Sequence, residues 1–416
     1  MRRLLLASVI LAVALCPATA EARRPTGKTP VHVTPAAVRS AMHSVWKRNR
    51  GIAPGACMGA IDKRVRVIRC FGSKDPANGA GAPNHRTLFA IGSITKTVTG
   101  TLLALRATQP SSGVKIIDVA RAPKYWPSGD HPGNVPQQLS LRDLAQHYSG
   151  LPDIPLSAVG SYDDLLTQAA DCYAATNCLI GPDKAQWSYS NWGIDVLGTL
   201  LARHDGYTTQ YDPWAQDVAD NITSPLGMKD THTWEVWSSF SGGTPFGLRK
   251  ARGYLPASGG GFTPAPTENL PYRPYENAAG ALWSTPDDMM RWMQYSRGVK
   301  GTPALRAADK VLRSHSWWRK GSVAPGFGGP SQQGQAGFGW AFGPGPPVMI
   351  GKNGSLGGFA SYMTFRADKK PLGVFVMLNV QYPTNGQANH PGMKVGCALL
   401  RALPPKRSAL PCAPGL

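Results

Sequence analysis

Apolar and polar residues alternate along this chain with two periods, and the period changes mark its elements. Thr34–Arg48 carries apolar residues at helical spacing behind a Thr cap, with Pro35 at the first helical position, and predicts a helix. Two alternating stretches, Gly55–Ile61 and Arg64–Cys70, predict a hairpin turning at Asp62-Lys63. From residue 100 the pattern becomes helical. Ser140-Leu-Arg-Asp143 is a capping box opening a short helix that stops at Gly150. Ser161–Ala174, Asn191–Arg203 and Asp212–Ile222 follow as helices, with Gly206 closing the second. Residues 240–275 are rich in Gly, Pro and Ser and read as a long surface loop. Ser284 starts a helix that runs through Tyr295. The last third returns to strands: Phe338–Phe342, Val348–Lys352, Ser361–Arg366 and Leu372–Asn379. The last of these is apolar on both faces, as a central strand is. His390–Leu403 reads as a helix packed on that sheet. Strands at both ends around a helical middle predict an α+β body whose sheet is closed by the termini.

The first residues change the compartment. Arg2 and Arg3, the apolar run Leu4–Leu15 and Ala18-Thr-Ala20 have the layout of a cleavable secretory signal over residues 1–20. Residues 21–33 then form a polar, flexible leader. The apolar run is too short to span a bilayer, and bulky Leu15 precedes Cys16 where a lipoprotein site needs a small residue. The expectation is a periplasmic or secreted protein. Beyond Cys16 the cysteines are Cys57, Cys70, Cys172, Cys178, Cys397 and Cys412. An even set in an exported chain points to disulfides, and their spacing favours the local pairs Cys57–Cys70, Cys172–Cys178 and Cys397–Cys412.

The net charge of +20 is spread along the chain, with no nucleic-acid motif. Such a surface favours anionic envelope material over nucleic acid as a partner. No cysteine and histidine spacing suggests a metal site, and no cofactor is called for.

The candidate chemistry centres on Leu88–Gly100, where an apolar segment passes through Gly92 into a helix start. Ser93 and Lys96, three residues apart, share one helix face. A serine hydroxyl is a weak nucleophile until a base takes its proton, and a buried lysine with a lowered pKa is such a base. The same spacing occurs at Ser44…Lys47 and Ser112…Lys115, without the apolar lead-in ending in glycine. Tyr189-Ser-Asn191 precedes a helix. Tyr189 can act as a general base if Lys96 and Lys352 lower its pKa, while Asn191 orients Lys96 and donates to a substrate amide. Lys352-Asn353-Gly354-Ser355 lies on a predicted strand, where Gly354 lets substrate approach the backbone and Lys352 faces a substrate carboxylate. The backbone N–H groups of Ser93 and Ser355 are candidates for an oxyanion hole.

In this order the three motifs resemble the penicillin-recognising active-site serine family, in particular class C β-lactamases and D-alanyl-D-alanine peptidases. Further collinear stretches carry the resemblance through residues 55–403, among them Tyr148-Ser-Gly-Leu-Pro152, Gly280-Ala-Leu-Trp-Ser-Thr-Pro-Asp-Asp288 and Asn379-Val-Gln-Tyr-Pro383. It implies a β-lactamase/transpeptidase-like fold: an antiparallel sheet flanked by helices, from residues 34–92 and 276–416, plus an all-α domain over 93–275. It also implies acylation of Ser93 followed by hydrolysis, with Lys96 and Tyr189 moving protons. Three departures bear on substrate. Asp153 stands where such β-lactamases have an amide-reading Gln, Thr384 where they have a carboxylate-holding Asn, and Asn353 where they have Thr. They favour a D-Ala-D-Ala carboxypeptidase or endopeptidase acting on peptidoglycan peptides over a β-lactamase acting on β-lactams. An esterase or a non-catalytic wall-binding or sensor protein stands behind both.

Overall fold

A computed structural model describes residues 33–62, 65–118, 120, 122–125, 134–180, 187–207, 212–233, 249–266, 275–314, 335–343, 347–368, 372–383, 390–403 and 412. The signal and leader expectations, and Thr384, lie outside these residues.

The strands are β1 (Gly55–Asp62), β2 (Val65–Gly72), β3 (Phe89–Ala90), β4 (His232–Thr233), β5 (Tyr254–Pro256), β6 (Phe262–Pro264), β7 (Leu282–Ser284), β8 (Gln335–Ala336), β9 (Ala341–Phe342), β10 (Met349–Leu356), β11 (Phe359–Arg366) and β12 (Leu372–Leu378). Seven of them form one antiparallel sheet in the order β2-β1-β12-β11-β10-β9-β8. The chain's early hairpin thus joins its late strands through β1 and β12, closing the sheet as the pattern predicts.

Both faces of β12 are covered, which is why it is apolar throughout. Leu372, Val374, Val376 and Leu378 pack with Val38, Met42 and Val45 of the Pro35–Asn49 helix and Val395 and Leu399 of the Pro391–Ala402 helix. Phe375 and Met377 point the other way, into the larger core containing Met289, Trp292 and Met293 of the Pro286–Ser296 helix. That core extends through the Thr95–Thr108 helix, buried along nearly its whole length, to the Asn191–His204 helix. A helix buried on nearly every side is held by the body around it rather than by its own propensity. Cysteine pairs 57/70, 172/178 and 397/412 lie side by side, with Cα–Cα separations of 4.0, 5.6 and 5.8 Å.

Elsewhere tertiary contacts override local pattern. The strand expected to end at Lys352 continues to Leu356, through Asn353, Gly354 and Ser355. Those residues are poor strand formers, but cross-strand pairs such as Asn353↔Tyr362 and Gly354↔Ser361 hold them in the ladder. The strand expected over Phe338–Phe342 shrinks to Ala341–Phe342, because Gly337 donates to the Trp340 carbonyl and makes the rest a tight turn. The loop expected over 240–275 contains the β5–β6 hairpin, whose three-residue strands are too short and proline-rich to signal themselves. The Pro303–Leu312 helix was not expected, although Thr302 caps it and Pro303 starts it. Its apolar face, Leu305, Ala308 and Leu312, is interrupted by Arg306, Asp309 and Lys310.

Phe375 is fully buried between β12 and the larger core, whereas Ile117 is 57% exposed. Phe375→Ala is expected to destabilise the protein by about 3–5 kcal/mol. Ile117→Ala should fall within about 0.5 kcal/mol. Urea unfolding monitored by tryptophan fluorescence compares the two, and equal effects would remove β12 from the core.

Candidate active site

β3 ends at Ala90, and the chain must reverse from strand to helix within a few residues. Gly92, at φ +52°, makes the reversal in the left-handed region, which favours glycine. The resulting turn, Gly92–Ile94, carries Ser93 and feeds the Thr95–Thr108 helix. The turn rests directly on β10. A Cβ added at Gly354 would stand 2.1 Å from the Ile91 carbonyl oxygen and 2.9 Å from the Ser93 nitrogen. One added at Gly92 would stand 2.7 Å from the Ser355 nitrogen. Ser361 Oγ on β11 donates to the Ile91 carbonyl at 2.7 Å and pins the same turn. Gly354 was expected to admit substrate; here it admits the chain's own serine turn.

Lys96 lies one turn beyond Ser93 and is fully buried. Its Nζ donates to Ser93 Oγ at 3.1 Å, to the Ala279 carbonyl at 2.7 Å and to Asn191 Oδ1. Three acceptors match the three protons of an ammonium. Burial lowers the Lys96 pKa to about 7, against the pull of the Asp195 and Asp153 carboxylates. At neutral pH both the base and its protonated form are therefore populated.

Tyr189 OH donates to Ser93 Oγ at 2.8 Å, opposite Lys96. The nitrogens of Lys96 and Lys352 lie 4.9 and 5.3 Å from its ring centroid. The expected lowering of its pKa by these cations is not found. Burial pushes the phenol up, and Asp153 and Asp195 add to the shift, with only its bond to Ser93 opposing. Tyr189 is thus a neutral hydroxyl with a proton to give rather than a phenolate waiting to take one.

Lys352 is fully buried on β10, its pKa driven well down by burial and then by the Lys96 charge. Asn353 beside it is 8% exposed, and its buried Oδ1 accepts no hydrogen bond. Asn191 divides its amide between Oδ1, facing Lys96, and Nδ2, which donates to Asp153 Oδ1 at 2.7 Å. Asp153 also accepts from the Asn191 backbone N–H, through its own carbonyl at 2.9 Å. Asn191 and Asp153, read separately as substrate contacts, are thus bonded to each other here. Eight of the nine candidate residues gather on three adjoining segments, the serine turn and its helix, the start of the Asn191–His204 helix, and β10, and Asp153 joins them from its own loop through Asn191. Ser44 sits within the Pro35–Asn49 helix, and Ser112 Oγ is spent on backbone carbonyls of its own turn.

Neighbours without a motif complete the site. His147 holds a left-handed backbone at φ +64° and stacks on Tyr189 at 4.5 Å between ring centroids. His390 Nδ1 accepts from the Met393 N–H, so Nε2 carries the proton and faces the Gly354 carbonyl at 3.2 Å and Ser355 Oγ at 3.0 Å. Burial lowers the His390 pKa to about 4 and keeps the ring neutral. Asp195, one turn after Asn191, was legible from its i,i+4 spacing on one helix face. The Ala279 carbonyl, a backbone group, had no sequence signal.

Comparisons with known proteins give the family and the fold. The β-lactamase family model matches residues 37–396, nearly the whole described chain. The chain belongs to the β-lactamase family. It is an enzyme of that family, a serine hydrolase by descent. Among its relatives is the D-alanyl-D-alanine-carboxypeptidase/endopeptidase AmpH of Escherichia coli K12, 28% identical over 345 residues that cover 78% of this chain and 79% of AmpH. A β-lactamase of the same organism is 24% identical, covering 72% of this chain and 77% of its own. The fold matches the octameric penicillin-binding protein homologue from Pyrococcus abyssi with a TM-score of 0.63 at 18% identity, over 88% of this chain and 76% of that one.

Gly354→Ala tests the backbone contact that seats Ser93. The added methyl must push β10 off the serine turn, and a displacement near 1 Å costs about 100-fold in rate. Hydrolysis of a chromogenic ester should fall by that order while circular dichroism stays native. Unchanged turnover would show that the contact does not position Ser93.

Proposed function

We propose that this β-lactamase-family member is an exported D-Ala-D-Ala carboxypeptidase or endopeptidase that works through an acyl-enzyme on Ser93. The observation that carries the chemistry is the convergence of Lys96 and Tyr189 on Ser93 Oγ, at 3.1 and 2.8 Å, with Lys96 held at about pKa 7. Neutral Lys96 takes the Ser93 proton as Oγ attacks the peptide carbonyl. The developing oxyanion is received by the N–H groups of Ser93 and Ser355. Tyr189 hands its proton to the departing D-alanine nitrogen, and the proton that Lys96 took from Ser93 then restores the phenol. Lys352 holds the terminal carboxylate of the substrate, and Asn353 lines the same strand. Water then cleaves the ester. In this arrangement the helical residues 93–275 supply Ser93, Lys96 and Tyr189, and the α/β part, 34–92 and 276–416, supplies Lys352.

Peptidase is preferred to β-lactamase on substrate-side chemistry. Asp153 can only accept where an amide would also donate, and its bond to Asn191 occupies that amide. AmpH, a carboxypeptidase/endopeptidase by name, is also the relative with the higher identity of the two from Escherichia coli. The β-lactamase reading keeps its own support in the 24% identical relative.

Purified protein given a D-Ala-D-Ala muropeptide should release D-alanine, while nitrocefin should acylate it and turn over slowly. Fast nitrocefin turnover without D-alanine release would reverse the preference. A fluorescent penicillin should label Ser93 in both cases, and a label on Ser44 or Ser112 would sink the mechanism.

Export is part of the same proposal: residues 1–20 direct it, and the three cysteine pairs are oxidised in the envelope. Among the described residues no helix is long and apolar enough to cross a membrane. Non-reducing peptide mapping of secreted protein should recover Cys57–Cys70, Cys172–Cys178 and Cys397–Cys412, and abundant free thiol would refute it.

A further inference from the structure

Asp195 occupies the helix face behind Asn191 and is 1% exposed. Its Oδ1 accepts from the Ala279 N–H at 2.8 Å, and the carbonyl of that same residue accepts from Lys96 Nζ at 2.7 Å. Its Oδ2 is sealed from solvent and accepts no hydrogen bond. Buried carboxylate oxygens are ordinarily satisfied, and one that is not needs a charge nearby to justify it. We propose that Asp195 is a positioning residue of the Ser93–Lys96 pair: it fixes the Ala279 peptide that aims the lysine, and it supplies the buried negative charge against which Lys96 accepts the serine proton. The inference rests on the reading of Lys96 as the base for Ser93.

The need for such a charge follows from the step itself. When the proton moves from Ser93 Oγ to Lys96 Nζ, an ammonium forms in a fully buried place, beside the equally buried Lys352, whose own charge burial disfavours. A buried ammonium without a counter-ion opposes that transfer. Asn191 and the Ala279 carbonyl offer only dipoles, and Asp153, the other carboxylate acting on Lys96, is exposed. His147 behind Tyr189 is held neutral by burial and by both lysines. Burial above all, with Glu276 and Asp212, holds the Asp195 pKa well above the ordinary carboxylate range, and Lys96 and the Ala279 N–H pull it back toward the carboxylate. The ammonium and the carboxylate therefore stabilise each other, and each proton transfer to Lys96 is matched by charge on Asp195.

The test is Asp195→Asn, which keeps an oxygen for the Ala279 N–H and removes the charge. Loss of a neighbouring anion lowers the lysine pKa, so the neutral base persists to lower pH. The acid limb of Ser93 acylation by a fluorescent penicillin, near pH 7 in the wild type, should move down by about one pH unit or more. The plateau should drop about tenfold, because a weaker base pulls the proton less strongly. A purely structural role would change the melting temperature and leave the limb in place. An acid limb identical to that of the wild type overturns the proposal, whatever happens to the plateau. Should the variant not fold, the coupling is read in the other direction. In protein carrying carbon-13 aspartate carboxyls, the Asp195 titration midpoint should rise in Lys96→Gln relative to wild type, and equal midpoints overturn the proposal. That comparison needs no turnover. A wild-type protein that fails to acylate would instead strike the functional reading.

Discussion

The site depends on one contact between two stretches of backbone, the turn that carries Ser93 and the strand that carries Lys352. Gly92 and Gly354 let them touch with no side chain between, and Ser361 bonds the turn from the neighbouring strand. Two consequences follow. The serine is seated against the interior of a seven-stranded sheet rather than on a free loop, and the backbone nitrogens of Ser93 and Ser355 both lie at the contact. The sheet is rigid there because β12 and β11 are buried on both faces, with the first and last helices sealing one of them. The remote termini thus support the reaction centre through packing alone.

Burial sets the chemistry as firmly as the contact sets the geometry. Moving an amine out of water disfavours its charged form, and the Lys96 pKa falls to about 7 despite two carboxylates acting on it. The same desolvation raises Tyr189. One environment therefore separates two groups that share Ser93 Oγ into a base and an acid. Desolvation is the largest cause of that separation, the carboxylates Asp195 and Asp153 temper how far the lysine falls, and the hydrogen bonds decide which proton goes where.

The chemistry-bearing residues were legible in the sequence because each motif couples a residue type to a local backbone event. Ser93 and Lys96 mark a strand-to-helix reversal, Tyr189 and Asn191 a helix start, and Lys352 through Ser355 a strand with a glycine gap. The closing of the sheet was legible from the two-sided apolarity of Leu372–Leu378. Contacts set by the third dimension were not legible. The Ala279 carbonyl has no side chain to advertise it, and His390 reaches Ser355 from 35 residues away. The protonation of Tyr189 was misread because cations are visible in a sequence and desolvation is not. Pro303–Leu312 was missed because exposed Arg306 and Lys310 and the buried Asp309 obscured the apolar period that the core uses.

Asn191 joins these levels. As the first residue of its helix it must leave the backbone hydrogen bonds of a helix start to its neighbours, which the Ser190 side chain and the Asp153 carbonyl satisfy. Its own side chain is then free to bridge Lys96 and the Asp153 carboxylate. The lysine consequently stands between carboxylates at two depths, Asp195 in the core and Asp153 in solvent. The inner one is shielded from salt and water, whereas the outer one is screened. A charge near the entrance can accordingly change how a substrate is received without much disturbing the base. A charge beneath the lysine changes the base itself. That division of labour by depth lets one helix start serve both the binding face and the proton chemistry.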